Sequence, residues 1–369
     1  MTARINSPSL GGSAYQEGGT WSLGIAHRWQ YSDKHFVDDQ QQHYREQEGS
    51  QVINDIHIID LGASYQITKR IGVTLSVPYS KATRSQALRD PRRARDPVTG
   101  AVIRYQDDSG RLRDLPANPS GFPSPEGVIN GRVVQRYQTE ANGLGDIKLL
   151  ATTWILDPEK FEKGNVSAGI GVLFPTGESD VKDVFKTITR SADDKTYTIG
   201  ESIENVDNSI QPGAGAWGII FDIYSFYQMK ENITLFAAGT YIATPEADAG
   251  VIAGNPLTST TVWSVGDSYL ARVGGGWTFL PEYGLTFTLA ARAEGSPSVD
   301  LIGDSTGRRR PGYAISVEPG LVWAKNGWVV AFSTPVAIYR NRTTSFGGSN
   351  PGDAAFADFF TLLSVNKRF

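Results

Sequence analysis

The stretch Ile71-Gly72-Val73-Thr74-Leu75-Ser76-Val77 sets a large apolar side chain at every second position, with Gly, Thr and Ser between. A period of two is the mark of a β-strand with one apolar and one polar face, because successive side chains leave a strand on opposite sides. Asn165-Val166-Ser167-Ala168-Gly169-Ile170-Gly171-Val172 and Leu285-Thr286-Phe287-Thr288-Leu289 repeat the pattern. Followed outward, the alternation recurs in twelve segments: 20–31, 54–67, 71–80, 143–156, 165–175, 214–228, 232–243, 263–279, 284–295, 312–324, 328–340 and 355–369. A tilted strand needs about 9–11 residues to cross a bilayer, and these segments meet that length, whereas strands of soluble domains average about 5–6.

The connections sort by length. Short ones follow every even-numbered segment: Lys69-Arg70, 157–164, Lys230-Glu231, Pro281-Glu282-Tyr283 and Lys325-Asn326-Gly327. Asn-Gly is the preferred pair for a tight type I′ hairpin. Long ones lie between them: 32–53, 81–142, 176–213, 244–262, 296–311 and 341–354. Short periplasmic turns and long extracellular loops are the outer-membrane arrangement. The fold class is therefore all-β: a transmembrane, antiparallel, up-and-down barrel of about twelve strands in a Gram-negative outer membrane. Residues 20–369 form it, with 81–142 its longest extracellular loop. Residues 1–19, rich in Gly and Ser, are expected to be a periplasmic tail or a segment that plugs the lumen.

Composition agrees. The chain of 369 residues holds 40 Gly, 16 Phe, 15 Tyr, 8 Trp and no Cys. Its mean hydropathy of −0.28 is that of a soluble protein, but polar lumen residues dilute every window of a barrel. No run reaches the roughly 18–20 apolar residues of a spanning helix. Without Cys there is neither thiolate chemistry nor a Cys-based metal site. A net charge of −4 offers nothing to a polyanion, so nucleic acid is not an expected partner. The first residues, Met1-Thr2-Ala3-Arg4-Ile5-Asn6-Ser7-Pro8, lack the apolar core of a signal peptide, the expectation for a mature form or an edited one.

Register follows from the last strand. Phe369, Val365, Leu363 and Phe359 share the lipid face by alternation, which turns Arg368 and Asp358 inward. The same phase places Arg28, Asp60, Asp146, Lys148, Asp222, Arg272, Arg292, Glu294 and Glu318 on the lumen side. An Arg or Lys facing hydrocarbon at the midplane costs about 2–4 kcal/mol, so the charged set cannot all face lipid. Acids and bases nearly balance, the interior of a weakly selective pore. Aromatics gather at strand ends in two belts. Trp21, Tyr65, Trp154, Tyr227, Trp277, Tyr283, Trp323, Trp328 and Phe369 are placed toward the periplasm. Trp29, Tyr31, Tyr79, Phe174, Trp217, Tyr241, Trp263, Tyr269 and Tyr339 are placed toward the outside. Pro78, Pro175, Pro245 and Pro335, each without an N–H, should mark where pairing ends or a strand bends.

Gly143-Leu144-Gly145-Asp146 opening one strand and Leu173-Phe174-Pro175-Thr176-Gly177 closing the next resemble the outer-membrane family named for the meta pathway of phenol degradation. The resemblance is strongest over 143–180. It implies an outer-membrane transporter, often one associated with aromatic compounds, and carries no defined set of functional residues. The closing Phe369 is similar to the C-terminal signal read by the barrel-assembly machinery, an expected partner together with outer-membrane lipid and lipopolysaccharide.

Other chemistry is sparse. The four histidines are His27, His35, His43 and His57, none in a metal-ligand motif. His35 and His43 share a loop with Asp38, Asp39, Glu46 and Glu48, where a solvated polar loop outweighs a cation site. Asp180, Asp183, Asp193, Asp194, Glu201 and Glu204 lack a Ca²⁺-binding pattern. No cofactor or metal is expected. His27 and His57 fall on the outward phase of adjacent strands, as a barrel phospholipase would require, but no Ser and Asn accompany them, so no enzyme is expected. The arginines of 81–142 (Arg84, Arg89, Arg92, Arg93, Arg95, Arg104, Arg111, Arg113, Arg132 and Arg136) and Arg308-Arg309-Arg310 suit either lipopolysaccharide phosphate or the Asp residues among them. The leading functional expectation is a passive channel or uptake porin for a small neutral or weakly charged solute, which the family resemblance implies is hydrophobic or aromatic. The alternative is a plugged barrel that anchors a surface partner through its loops.

Overall fold

A computed structural model of the chain describes residues 14–107, 109–123, 129–246, 248–252, 260–348 and 352–369. Twelve antiparallel strands close into a barrel. In chain order they are β1 (Trp21–Val37), β2 (Ile53–Gln66), β3 (Ile71–Arg89), β4 (Val133–Leu144 and Ile147–Trp154), β5 (Gly164–Phe174), β6 (Gly218–Lys230) and β7 (Ile233–Ala243). Then follow β8 (Ser268–Leu280), β9 (Leu285–Ser296), β10 (Gly312–Lys325), β11 (Trp328–Ser333 and Val336–Asn341) and β12 (Asp353–Arg368). Each strand pairs with the next, and β12 returns to β1 from Ser22 opposite Arg368 to Val37 opposite Asp353. Closure removes the edges that an open sheet would leave unpaired in lipid.

Alternation sorts the side chains. Ile25, Leu61, Leu75, Ile170, Ile223, Leu289, Leu321 and Leu363 are exposed, whereas Ser22, Asp60, Ser167, Asp222, Arg292, Glu318 and Asn366 are buried. This is a soluble protein turned inside out, and an apolar outer belt of this extent requires hydrocarbon around it. At the short-turn end, Asn326 and Gly327 have φ of 53° and 77°, the two positive values of a type I′ turn between β10 and β11.

Three details depart from the sequence reading. β3 runs on to Arg89 and β4 starts at Val133, with Lys81 opposite Asn142 and Leu88 opposite Gln135. The long loop 81–142 is thereby reduced to 90–132. Second, β4 breaks at Gly145-Asp146 and β11 at Thr334-Pro335. Pro175 and Pro245 follow the ends of β5 and β7, while Pro78 sits in β3 and its carbonyl accepts the Gly145 N–H at 2.8 Å. Third, two aromatics leave the belts: Trp154 is buried in the lumen, and Trp263 is buried in an extracellular loop.

Candidate functional site: the lumen and its two ends

At mid-height β8, β9 and β10 carry a line of interior charge. Arg272 lies directly opposite Arg292 in the ladder, a like-charge pair that would repel. Glu318 on β10 resolves it. Its carboxylate accepts hydrogen bonds from Arg272 Nη2 at 2.7 Å, Arg292 Nη1 at 3.4 Å and Ser333 Oγ at 2.8 Å. Arg292 Nη2 then donates to Glu294 at 2.7 Å. The carbons of the Arg28 and Arg292 guanidinium groups lie 4.8 Å and 4.9 Å from the Phe360 ring centre, within cation–π reach. Elsewhere on the wall Asp60 accepts from the Ser76 hydroxyl, Asp222 accepts from Thr240 at 3.0 Å, and Lys148 is near enough to Asp60 and Asp146 to feel both. Arg368 faces Ser22 across the closing ladder.

Asp358 breaks the pattern. On β1 Gln30 and Ser32 pair with Phe360 and Ala357, so β12 carries one extra residue there. That bulge turns both Asp358 and Phe359 to the exposed side. The Asp358 carboxylate is 55 % exposed and accepts Arg340 Nη2 at 2.6 Å, while Arg340 Nε donates to the Ala357 carbonyl at 3.0 Å. The inward assignment of Asp358 is corrected accordingly.

Toward the periplasm the lumen turns apolar. Trp154, Tyr224, Phe226, Phe236, Ala290 and Val322 form one buried cluster. The N-terminal segment enters it. Tyr15 meets Trp154 and Phe226 edge-on, with ring centres 5.1 Å and 5.8 Å apart. Its hydroxyl donates to the Phe161 carbonyl at 2.5 Å and accepts Asn165 Nδ2 at 3.0 Å. Glu17 pairs with Lys69, and Gly19 N–H bonds to the Gln66 carbonyl. Residues 14–19 thus lie across the periplasmic mouth. Residues 1–13, also assigned to a tail or plug, are outside the described residues.

At the outer end the two glycine-bearing strings meet in space. The Thr176 hydroxyl donates to the Gly145 carbonyl at 3.1 Å and accepts the Ile147 N–H at 2.9 Å. The Asp146 carboxylate accepts the N–H groups of Gly177 at 3.0 Å and Ala214 at 2.8 Å. A Cβ on Gly177 would fall 2.7 Å from Gly213 Cα and 2.9 Å from Gly145, and one on Gly213 would fall 2.3 Å from the Gly177 carbonyl oxygen, so the backbones meet here only because Gly177 and Gly213 are glycine. This knot seats the loop between β5 and β6 over the break in β4. A cavity of about 260 Å³ adjoins it, lined by Asp146, Gln211, Pro212, Trp263 and Val265 among others.

Above this, arginine and aspartate lace the loops together. Asp194, 1 % exposed, accepts Arg93 at 2.8 Å and Arg95 at 2.5 Å. Those hydrogen bonds, Arg93's first, hold its carboxyl well below the usual range. The Arg92 hydrogen bonds, aided by Asn118, keep the Asp90 carboxyl at about 2. Burial would raise Asp207, but Arg310 and Arg84 overcome it and hold that carboxyl low. Arg89, Arg104 and Arg113 pair with Glu48, Asp114 and Asp107. Arg308 and Arg310 both lie over the Trp263 ring, and Arg309 pairs with Asp300 at 2.6 Å.

The sequence matches no known family model and no curated protein. Solved structures do match. A crystallised outer-membrane channel from Pseudomonas putida F1 is 12% identical, with 96% of this chain and 97% of that one covered and a TM-score of 0.54. The P. putida toluene transporter is 11% identical over 99% of this chain and 92% of its own, with a TM-score of 0.45. The fold is that of an outer-membrane barrel. Closure, outer apolar belt and sorted loops together place the chain in the Gram-negative outer membrane.

Of the residues read from sequence, the fold brings Arg272, Arg292, Glu294 and Glu318 into one network, with Arg28 beside it across Phe360. Asp146 is a loop anchor at the outer end. Tyr15 and Trp154 were not singled out as lumen residues. Trp154 is in phase with Lys148 and Asp146, a signal its place near a strand end obscured. The partner Tyr15 finds lies 139 positions away, beyond any local pattern. The paired histidines also meet, on the outside: His27 Nε2 lies 3.1 Å from His57 Nδ1.

Proposed function

We propose that this barrel is a channel for passive uptake of small, uncharged, hydrophobic or aromatic solutes. The observation that carries the reading is the division of the lumen. Its mid-height charges neutralise one another at 2.7 Å, and one side of its periplasmic half is an aromatic cluster against which Tyr15 packs. A charged solute must compete with partners already in contact, whereas an apolar ring can exchange places with Tyr15 among Trp154 and Phe226. The resemblance of Gly143–Asp146 and Leu173–Gly177 to the phenol meta-pathway family supports the same solute class. We propose no enzyme, since the polar contacts described for the His27–His57 pair are with each other and with Asp55, and bring no Ser and Asn to it as a barrel phospholipase would need. Lipid, lipopolysaccharide and the barrel-assembly machinery, the last reading the exposed Phe369, are its proposed partners.

Flux into sealed proteoliposomes tests the reading. A neutral single-ring aromatic should equilibrate faster than in protein-free vesicles, and a cationic analogue of equal size should not. No flux of the neutral probe through either the intact protein or Tyr15→Ala would favour the alternative, a plugged barrel that presents loops to a partner.

A further inference from the structure

We infer that the outer wall of the barrel carries a binding site for a divalent transition-metal cation of the zinc class, with His27 and His57 as its protein ligands and Asp55 as a positioning residue. The two imidazoles stand on adjacent strands and face out of the barrel, at the level of Trp29 and Tyr79 in the outer aromatic belt. His57 is 47% exposed, so a cation in the headgroup region reaches it.

The charges and lone pairs around the two rings suit a ligand pair. His57 Nε2 lies 3.5 Å from the Asp55 carboxylate, which the Trp29 indole N–H fixes at 2.9 Å. Asp55 therefore favours the tautomer with the proton on Nε2 and leaves the Nδ1 lone pair aimed at His27 Nε2, 3.1 Å away with the rings 17° apart. Metal-bound histidines are typically oriented by a carboxylate on the second nitrogen in this way. Two nitrogens bound to one tetrahedral Zn²⁺ at about 2.05 Å stand about 3.3 Å apart, so the pair needs to open by a few tenths of an ångström. The cation takes the place of the proton now shared between the rings; His27 exchanges that proton through solvent and carries it on Nδ1 instead, so each ring stays neutral with one N–H, and water completes the coordination. Imidazole suits Zn²⁺, Ni²⁺ and Cu²⁺ rather than Ca²⁺ or Mg²⁺. Three other charges lie on this face. Lys81 stands in register beside His57 and opposes a cation, Asp55 offsets it, and Glu140 lies one pair farther out, opposite Thr83.

The test is metal titration of the untagged, full-length protein in detergent micelles, with barrel closure checked by heat-modifiable gel mobility. One Zn²⁺ per chain should bind, and His27→Ala and His57→Ala should each weaken binding at least about 100-fold, with Asp55→Asn weakening it about 10–100-fold. Cu²⁺ electron paramagnetic resonance should show two coordinating imidazole nitrogens in the native protein and one in either single variant. Zn²⁺ affinity at the native level in either His→Ala protein, or a single-nitrogen Cu²⁺ spectrum in the native one, overturns the proposal.

Discussion

Replacing Tyr15 by Ala should loosen the periplasmic closure of the lumen, and the size of the effect follows from its contacts. The side chain makes two edge-on ring contacts, with Trp154 and Phe226, and two hydrogen bonds, with Phe161 and Asn165. Each ring contact contributes about 0.5–1.5 kcal/mol beyond area burial, and each hydrogen bond a net of about 0.5–1.5 kcal/mol. Together they hold the segment in place by about 2–6 kcal/mol, so at 1.4 kcal/mol per decade the ratio of seated to unseated segment falls about 30-fold to about 10⁴-fold. Tyr15→Phe keeps the rings and loses only the hydroxyl, about 1–3 kcal/mol or about 5-fold to 150-fold. Single-channel recording and liposome flux measure this directly. The order Tyr15→Ala above Tyr15→Phe above native is expected for open probability and for flux of a neutral aromatic. A folded Tyr15→Ala protein with native closed times and native permeability would refute the idea that this side chain is the stopper.

Three further outcomes are expected. Glu318→Ala leaves Arg272 and Arg292 facing each other inside the barrel without their shared carboxylate, a loss of about 3–5 kcal/mol in the manner of a broken buried pair. Urea unfolding in lipid vesicles reads it, and an unchanged midpoint would show that lumen water screens the pair. Asp146→Ala removes two backbone N–H bonds to a carboxylate, each contributing about 1.5–3 kcal/mol. It should free the loop between β5 and β6 to surface proteases while the barrel keeps its heat-modifiable mobility. The extracellular ion pairs set an acid limit. Asp90 sits at about 2 in the fold against an ordinary 3.8, so its contribution is fully present above pH 3.8 and is lost as pH falls through 2. Hydrogen exchange in residues 90–96 should remain slow at pH 4 and accelerate near pH 2, and loss of protection already at pH 5 would contradict this assignment.

How far the sequence carried the fold is clear from where alternation held. Between the aromatic belts one face of every strand meets lipid and the other the lumen, so hydrophobicity marks each strand and its phase. Outside the belts both faces are wet. Lys81–Arg89 and Val133–Asn142 are paired strands with no apolar face to announce them, and they read as loop for that reason. Position-counting failed at Asp358 because the bulge adds one residue, and a one-residue slip moves a side chain across the wall. Trp263 read as a belt residue because aromatics mark belts. In the fold it is instead the apolar plate between Arg308 and Arg310, a role that depends on a loop 45 positions away. The strings around Gly145 and Gly177 were legible as a signal and opaque as a mechanism, since the contact that explains their glycines involves a third, Gly213, in the far part of the loop.

If the barrel is the channel proposed above, the charged line across its lumen bears on which solutes it suits. An open polar pore keeps its interior charges hydrated and available, so that an ion trades water for protein with little net change. Here Arg292 and Glu318 are each about 1% exposed and already paired with one another and with Arg272 and Glu294. An entering ion must shed water and gain only partners that are engaged, an unfavourable exchange in a confined, low-dielectric passage. A neutral aromatic loses little by leaving water and meets, on the periplasmic side, Trp154, Phe226 and Phe236, the surfaces Tyr15 itself has chosen. Under the proposed function, the residues that disfavour ions therefore leave a graded path for apolar rings. On this argument substituting Phe236 with a polar residue should slow aromatic flux without raising ion conductance.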